Sequence, residues 1–351
     1  MSEKNNRKPH LLKKSLIALA VLILLLLAFT GYNYYAKYYG PNVTGRQEYL
    51  YIKTGSGFTD VFKTIKDEGI VKDTTSFMQV AYSMKYENRV KPGKYRLHEG
   101  MGNKKLIRML ALGEQEPVKL AFQNVRLKET FAGMAGKKLE ADSLSIIHLL
   151  DSAAYLKPFG FTPDNVYVVF MPNSYEMKWN GPAEKFFTRM NEEYQKFWTP
   201  ERKEQAKAAG LTPVQVSILA SIVDAEALHD DEMPTIAGLY LNRLNRGMKL
   251  EADPTVIFAI KDFTIKRVLN KYLVFPSPYN TYLNIGLPPG PIMMPSVNAV
   301  KAVLNYKKHN YIYMCAKDDF SGYHNYATNM ADHLVNARKF QQALNQRNIK
   351  R

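Results

Sequence analysis

Thr212–Leu228 reads TPVQVSILASIVDAEAL, and it sets a carboxylate on an apolar helix face. Thr212 suits an N-cap and Pro213 the first helical position. Ile218, Leu219, Ile222 and Val223 recur at three- and four-residue spacing, the mark of a buried stripe. Glu226 lies four residues after Ile222 and three after Val223, so it continues that stripe. Ser217, Ser221 and Asp224 are expected on the opposite, polar face. Burial disfavours the charged form of a carboxyl and raises its pKa. An acid that stays protonated near neutral pH is what general-acid catalysis needs. The same placement also suits a carboxylate that bonds an arginine or caps a loop, and this helix alone does not choose.

Further polar groups follow downstream. Asn242-Arg243 falls on the next helix, and Glu251-Ala252-Asp253-Pro254-Thr255 follows a glycine turn. Tyr279-Asn280-Thr281-Tyr282 follows a proline-rich loop, and His324-Asn325-Tyr326 and Thr328-Asn329 come late. Amides, hydroxyls and aromatic rings of this kind suit sugar hydroxyls and ring faces, though each alone also serves turns and core contacts. Several other chemistries have no motif here: there is no GxSxG elbow, no P-loop and no HExxH. The seven histidines are scattered, so no metal or cofactor is expected. Cys315 sits in an apolar, strand-like run and reads as a core residue rather than a nucleophile.

The chain has 351 residues and a formal charge of +16, which points to an anionic partner. Leu16 to Phe29 is unbroken apolar sequence, and no charge appears from Ser15 to Ala36. No small-x-small cleavage site follows it; an aromatic cluster at Tyr32, Tyr34 and Tyr35 does. A transmembrane anchor over 15–36 is expected, with membrane lipid as its partner. Lys4, Arg7, Lys8, Lys13 and Lys14 precede the span against Glu3, so residues 1–14 are expected in the cytoplasm and the remainder outside. That placement excludes nucleic acid and favours an external anionic polymer such as cell-wall material. One cysteine allows no internal disulfide.

The elements that must position these residues read as follows. Residues 37–47 look like a polar tether. A small α/β unit over 45–117 has strands at Glu48–Ile52 and Lys94–Leu97 and helices at Phe58–Glu68, from Thr74, and at Asn103–Leu112. A larger mixed α+β domain over 118–351 begins with a strand at Val118–Leu127 and a helix at Lys128–Lys138. Val166–Phe170 is a β-rich run, and Pro182–Trp198 and Glu232–Arg246 are helical. Tyr311–Cys315 is strand-like, and Met330–Gln346 closes the chain as a helix.

Leu219-Ala220-Ser221-Ile222-Val223-x-x-Glu226, Ala237-Gly238-x-x-x-Asn242-Arg243-Leu244 and Ala252-Asp253-Pro254-Thr255-Val256 occur in this order. Tyr279-Asn280-Thr281-Tyr282, Gly286-Leu287-Pro288-Pro289-Gly290-Pro291-Ile292, Pro295-Ser296 and His324…Thr328-Asn329…His333 complete the series. The series resembles the YceG-like endolytic murein transglycosylases. The resemblance implies a single-pass protein of the bacterial inner membrane, a LysM-like module over 45–117 and a periplasmic catalytic domain over 118–351. It also implies endolytic cleavage of nascent peptidoglycan glycan strands, with peptidoglycan synthases as partners. The family shows Glu-x-Glu with the second acid catalytic. Here the motif is Asp224-Ala225-Glu226, and Asn173 stands where the family tends to have an acid.

Glu226 is then the acid/base of a lytic transglycosylase. The expected substrate holders are Asn242, Arg243, Asp253, Thr255, Tyr279, Asn280, Thr281, His324 and Asn329. Two other readings stay open on the residues. Asp253 or Glu251 paired with Glu226 would make a two-carboxylate hydrolase. A membrane-tethered scaffold that binds peptidoglycan without turnover would explain the charge and the anchor.

Overall fold

A computed structural model describes residues 8–347 apart from Asn124 and Lys266, with side chains from Lys13 onward. Lys4, Arg7 and the side chain of Lys8, which help set the expected orientation, lie outside the described residues. The chain divides into two compact units, Met1–Val118 with Met177–Asn180, and Lys119–Glu176 with Gly181–Arg351.

The first unit opens with α1 (Lys8–Tyr39), whose stretch Lys13–Tyr39 is long and apolar enough to cross a membrane. The helix runs past the expected end at residue 36, because nothing in Lys37-Tyr38-Tyr39 breaks it and Gly40-Pro41 does. There follow β1 (Tyr49–Ile52), α2 (Phe58–Asp67), α3 (Thr74–Ser83), β2 (Gly93–Arg96) and α4 (Asn103–Leu112). β1 and β2 pair antiparallel, Leu50 opposite Tyr95. Leu50, Ile52, Val61, Ile65, Phe77, Val80, Tyr95, Leu106 and Leu110 form one core. The expected tether at 37–47 is largely packed structure. Asn42 is buried, donating from Nδ2 to Asn103 Oδ1 at 2.7 Å and to the Asp73 carbonyl at 2.9 Å. Asn103 in turn donates to the Lys37 carbonyl at 3.0 Å, which ties the end of α1 to α4. Polar composition misleads there because these amides satisfy each other.

The second unit contains β3 (Val118–Phe122), α5 (Lys128–Gly136), α6 (Ser143–Asp151), α7 (Ala153–Leu156) and β4 (Asn173–Met177). Then come α8 (Ala183–Phe197), α9 (Pro200–Ala208), α10 (Pro213–Glu226), α11 (Met233–Asn245), α12 (Asp253–Ile260) and α13 (Asn270–Leu273). The unit ends with α14 (Val297–Leu304), β5 (Tyr313–Ala316), β6 (His324–Ala327) and α15 (Met330–Gln346). β3 pairs with β4, and β5 with β6 in antiparallel register, Cys315 opposite Asn325. Val166–Val169 is a buried 3₁₀ turn and not the expected strand. Thr162 and Asn165 exchange side-chain to backbone bonds of 2.8 and 3.3 Å that start a turn, and this local chemistry overrides the β-branched composition.

α10 is the central helix of this unit. Thr212 and Gln215 form a reciprocal capping box at its start, worth about 1 kcal/mol. The apolar stripe is buried as expected. The polar face is not exposed: Ser217 and Ser221 are buried and Asp224 is half-buried. The serines are cheap to bury because each hydroxyl folds back on its own helix, to the Pro213 carbonyl at 3.2 Å and the Ile218 carbonyl at 2.7 Å. Ser221 Oγ also accepts from Ile292 N–H at 3.0 Å.

Candidate active site

Glu226 is the last residue of α10, and it is half-buried in the wall of a cleft of about 520 Å³. Tyr240, Arg243, Glu251, Asp253 and Tyr282 share that wall, as do Cys315, His324, His333 and Phe340. The volume falls within the range of roughly 300–1,000 Å³ usual for ligand sites. Loss of hydration pushes the Glu226 carboxyl up to about 7. The Asp253 charge adds to that rise, and a hydrogen bond from Tyr240 Oη to Oε1 at 2.9 Å opposes it.

Each neighbour is held by its own element. On α11, Gly238 leaves room for the chain at Lys307–His309, where a Cβ would collide with the Lys307 carbonyl. One turn on, Asn242 Nδ2 donates to the carbonyls of His309 at 2.7 Å and Tyr311 at 3.0 Å. Arg243, buried, donates to the carbonyls of Lys249 and Ile312, both at 2.8 Å, and pairs with Glu251. Its guanidinium therefore clamps the turn before α12 against β5. Asp253 begins α12 and accepts from Tyr282 Oη at 2.6 Å. Although solvent reaches it, the surrounding protein removes enough hydration to raise its pKa.

A buried web sets the Asp253–Tyr282 pair. Thr281 Oγ1 accepts from Ala252 N–H at 3.0 Å and lies 2.8 Å from Thr255 Oγ1. Asn280 Nδ2 donates to the carbonyls of Leu273 and Phe275, both at 2.9 Å, and its Oδ1 accepts from Tyr282 N–H at 2.9 Å. His324 donates Nδ1–H to Glu232 Oε2 at 2.9 Å, and its backbone N–H reaches Oε1 of the same carboxylate at 2.7 Å. A carboxylate can only accept there, which fixes the His324 tautomer.

The structure thus brings Glu226, Arg243, Asp253 and His324 to one cleft. It does not bring the other expected residues there. Thr255, Asn280 and Thr281 are fully buried, with their polar atoms spent on one another and on backbone. Asn242 is spent on the carbonyls before β5. Tyr279 lines a separate cavity of about 190 Å³ with Arg126, Asp164 and Phe258. Asn329 is exposed and caps α15, accepting from Asp332 N–H at 2.9 Å. Amide and hydroxyl side chains serve turns and sugars equally well, and sequence does not separate the two uses. Cys315, expected in the core, is half-buried and lines the cleft, where burial raises its thiol pKa. Tyr240, Glu232 and His333 were not among the expected site residues. Tyr240 had a readable signal: on the helix after Glu226 it is the tyrosine three residues before Arg243.

A sequence profile of the YceG-like family matches residues 50–339, most of the chain. The chain belongs to the YceG-like family. An endolytic murein transglycosylase of Streptococcus pneumoniae serotype 2 (strain D39) is 26% identical over 366 residues, covering 92% of this chain and 64% of its own length. The chain therefore spans less than two thirds of that relative. An endolytic murein transglycosylase of Bacillus subtilis (strain 168) is 38% identical over 120 residues, 33% of this chain and 32% of its own. A crystal structure of a yceG-like protein from Listeria monocytogenes superposes with a TM-score of 0.53 at 23% identity, over 82% of this chain and 98% of that one. That last likeness speaks to the fold.

Proposed function

We propose that this YceG-like protein is a lytic transglycosylase that cleaves the MurNAc–GlcNAc bond of peptidoglycan glycan strands. One observation carries the reading: Glu226 ends a buried helix as a desolvated carboxyl facing a cleft large enough for sugar rings. Protonated Glu226 gives its proton to the glycosidic oxygen as the bond from C1 to that oxygen breaks. The resulting carboxylate then takes the proton of the MurNAc C6 hydroxyl as that oxygen bonds to C1. The products are a 1,6-anhydroMurNAc end and a GlcNAc 4-hydroxyl, and Glu226 is protonated again. An attacking group within the same sugar needs no second carboxylate to activate water, and its effective concentration is high. Cationic character develops at C1, and the Asp253 carboxylate in the same cleft is placed to ease it. The relatives' name supports endolytic action. Action on nascent strands and work beside peptidoglycan synthases rest on the family resemblance alone.

The rest of the chain fits that role. α1 acts as a single anchor in the bacterial inner membrane, with the basic N-terminus in the cytoplasm and the larger unit in the periplasm. Residues 45–117 act as a LysM-like wall-binding module; an antiparallel strand pair enclosing two helices supports this.

A second reading rests on Asp253. It shares the Glu226 cleft and its charge acts on that carboxyl, so the site holds the second carboxylate that water activation requires; hydrolysis would leave a reducing MurNAc. Glu251 is less suited to that part, because Arg243 holds it. The full chain in detergent, incubated with purified glycan strands, separates the readings by mass spectrometry. Ends lighter by one water than reducing MurNAc are expected. Reducing ends alone overturn the transglycosylase reading, and no new ends at all favour a binding scaffold.

A further inference from the structure

α15 is unlike the other long helices of its unit: none of its described residues is fully buried. It nevertheless sends two side chains into the Glu226 cleft, His333 and Phe340. They are seven residues apart, two turns along one face. His333 is held as a flat plate. Its ring stacks on Tyr313 of β5 with centroids 5.2 Å apart and planes 23° apart. The Arg243 guanidinium lies 5.7 Å from the centroid of that same Tyr313 ring. Yet Nδ1 of His333 is buried and has no hydrogen-bond partner among the described residues. The other cleft histidine, His324, spends the same atom on Glu232. A buried polar atom left unpaired costs about 1–3 kcal/mol, so its survival in a site wall calls for a partner from outside the chain. Desolvation and the Arg243 charge both favour the uncharged ring, with Glu251 opposing them. An uncharged imidazole presents one donor and one acceptor, which matches a hydroxyl or acetamido group of a neutral sugar.

We propose that His333 is a substrate-binding residue whose Nδ1 hydrogen-bonds a hydroxyl or acetamido group of the glycan in the Glu226 cleft. The assignment rests on the glycan reading of that cleft. It makes α15 part of the site and not only a cover for β5 and β6.

The test uses the full chain in detergent carrying Glu226→Gln, so that bound glycan is not consumed, and measures affinity for purified glycan strands by titration calorimetry. His333→Phe keeps a ring to stack on Tyr313 and removes the nitrogen. His333→Asn gives up the ring and keeps a polar atom near the place of Nδ1. An affinity loss of about tenfold is expected for His333→Phe, with most of it restored in His333→Asn. In the active background His333→Phe should raise KM and leave kcat nearly unchanged, while His333→Asn should return most of the way to the unaltered KM. Should either variant fold poorly, the ¹⁵N shift of the His333 Nδ1 in the Glu226→Gln protein should move on adding glycan. Unchanged affinity in His333→Phe, equal loss in both variants, or a static Nδ1 shift with glycan bound overturns the role of His333 alone. No binding with His333 intact overturns the glycan reading and this assignment with it.

Discussion

Glu226 is governed by three identifiable influences, and they pull in opposite directions. Desolvation and the Asp253 charge raise its pKa; the Tyr240 hydrogen bond lowers it. If the protonated form is the working acid, turnover falls as pH rises through about 7. Tyr240→Phe removes the lowering influence, so the falling limb should move to higher pH. Asp253→Asn removes a raising one, so the limb should move to lower pH. Steady-state rates on glycan strands across pH read both, and shifts of the same sign in the two variants would contradict this account. The linked stability effect has a definite sign as well. The folded value of about 7 lies above the ordinary 4.5, so the folded state binds the proton more tightly than the unfolded one. Wild-type stability contributed by that proton is full below about 4.5 and is lost as pH rises through 7. Glu226→Gln carries no such charge. It should abolish anhydro ends yet gain stability over wild type between pH 5 and 8, on the order of 2 kcal/mol. Thermal melts at both pH values check this; a variant equally stable at pH 5 but weaker at pH 8 has the wrong sign.

At the scale of elements, α10 shows what was legible and what was not. Its start could be read from Thr212 and Pro213, and its buried stripe from the spacing of Ile218, Ile222 and Val223. The exposure of the other face could not. Periodicity assumes that polar means wet, whereas Ser217 and Ser221 are buried by bonding their own helix. Asp224 is the clearest case. It accepts from the Ser296 N–H at 2.7 Å and the Ser296 hydroxyl at 3.0 Å, and Ser296 is the N-cap of α14. It therefore joins α10 to the start of α14, a partner 72 residues away that no local pattern reveals. The same limit hid α14 and β6, which are short and gain definition from long-range packing. Asp224→Asn can still accept at one oxygen but presents an amide to the other donor. A stability loss of about 1–2 kcal/mol is expected, with turnover per folded molecule nearly intact. Glu226→Gln should show the reverse, normal folding without turnover. Matched melting curves and product yields for the pair decide it, and loss of turnover in folded Asp224→Asn would give Asp224 a part in the chemistry.

On the scale of the whole molecule, the charge distribution and the proposed anchor constrain each other. The formal charge of +16 would suit nucleic acid as readily as an anionic wall polymer, and only the side of the membrane separates the two. Lys13–Tyr39 is one apolar helix of 27 residues, about 40 Å long and ample for a hydrocarbon core of roughly 30 Å. Five basic residues precede its apolar core against one acid, Glu3. Beyond the core come Tyr32, Tyr34, Tyr35, Tyr38 and Tyr39, an aromatic cluster of the kind enriched at membrane interfaces, with Tyr34 stacked on Tyr38 at 4.2 Å. In the proposed orientation, the positive-inside rule would put the chain beyond Tyr39 outside the cytoplasm. A reporter active only in the cytoplasm should be silent when fused after Arg351 and active when fused before Met1. Replacing Lys4, Arg7, Lys8, Lys13 and Lys14 by glutamine should weaken that preference, with part of the population showing C-terminal activity. A C-terminal fusion active in the unaltered chain would place the Glu226 cleft where no glycan strand reaches it. The transglycosylase reading would then fail however well the cleft geometry suited it.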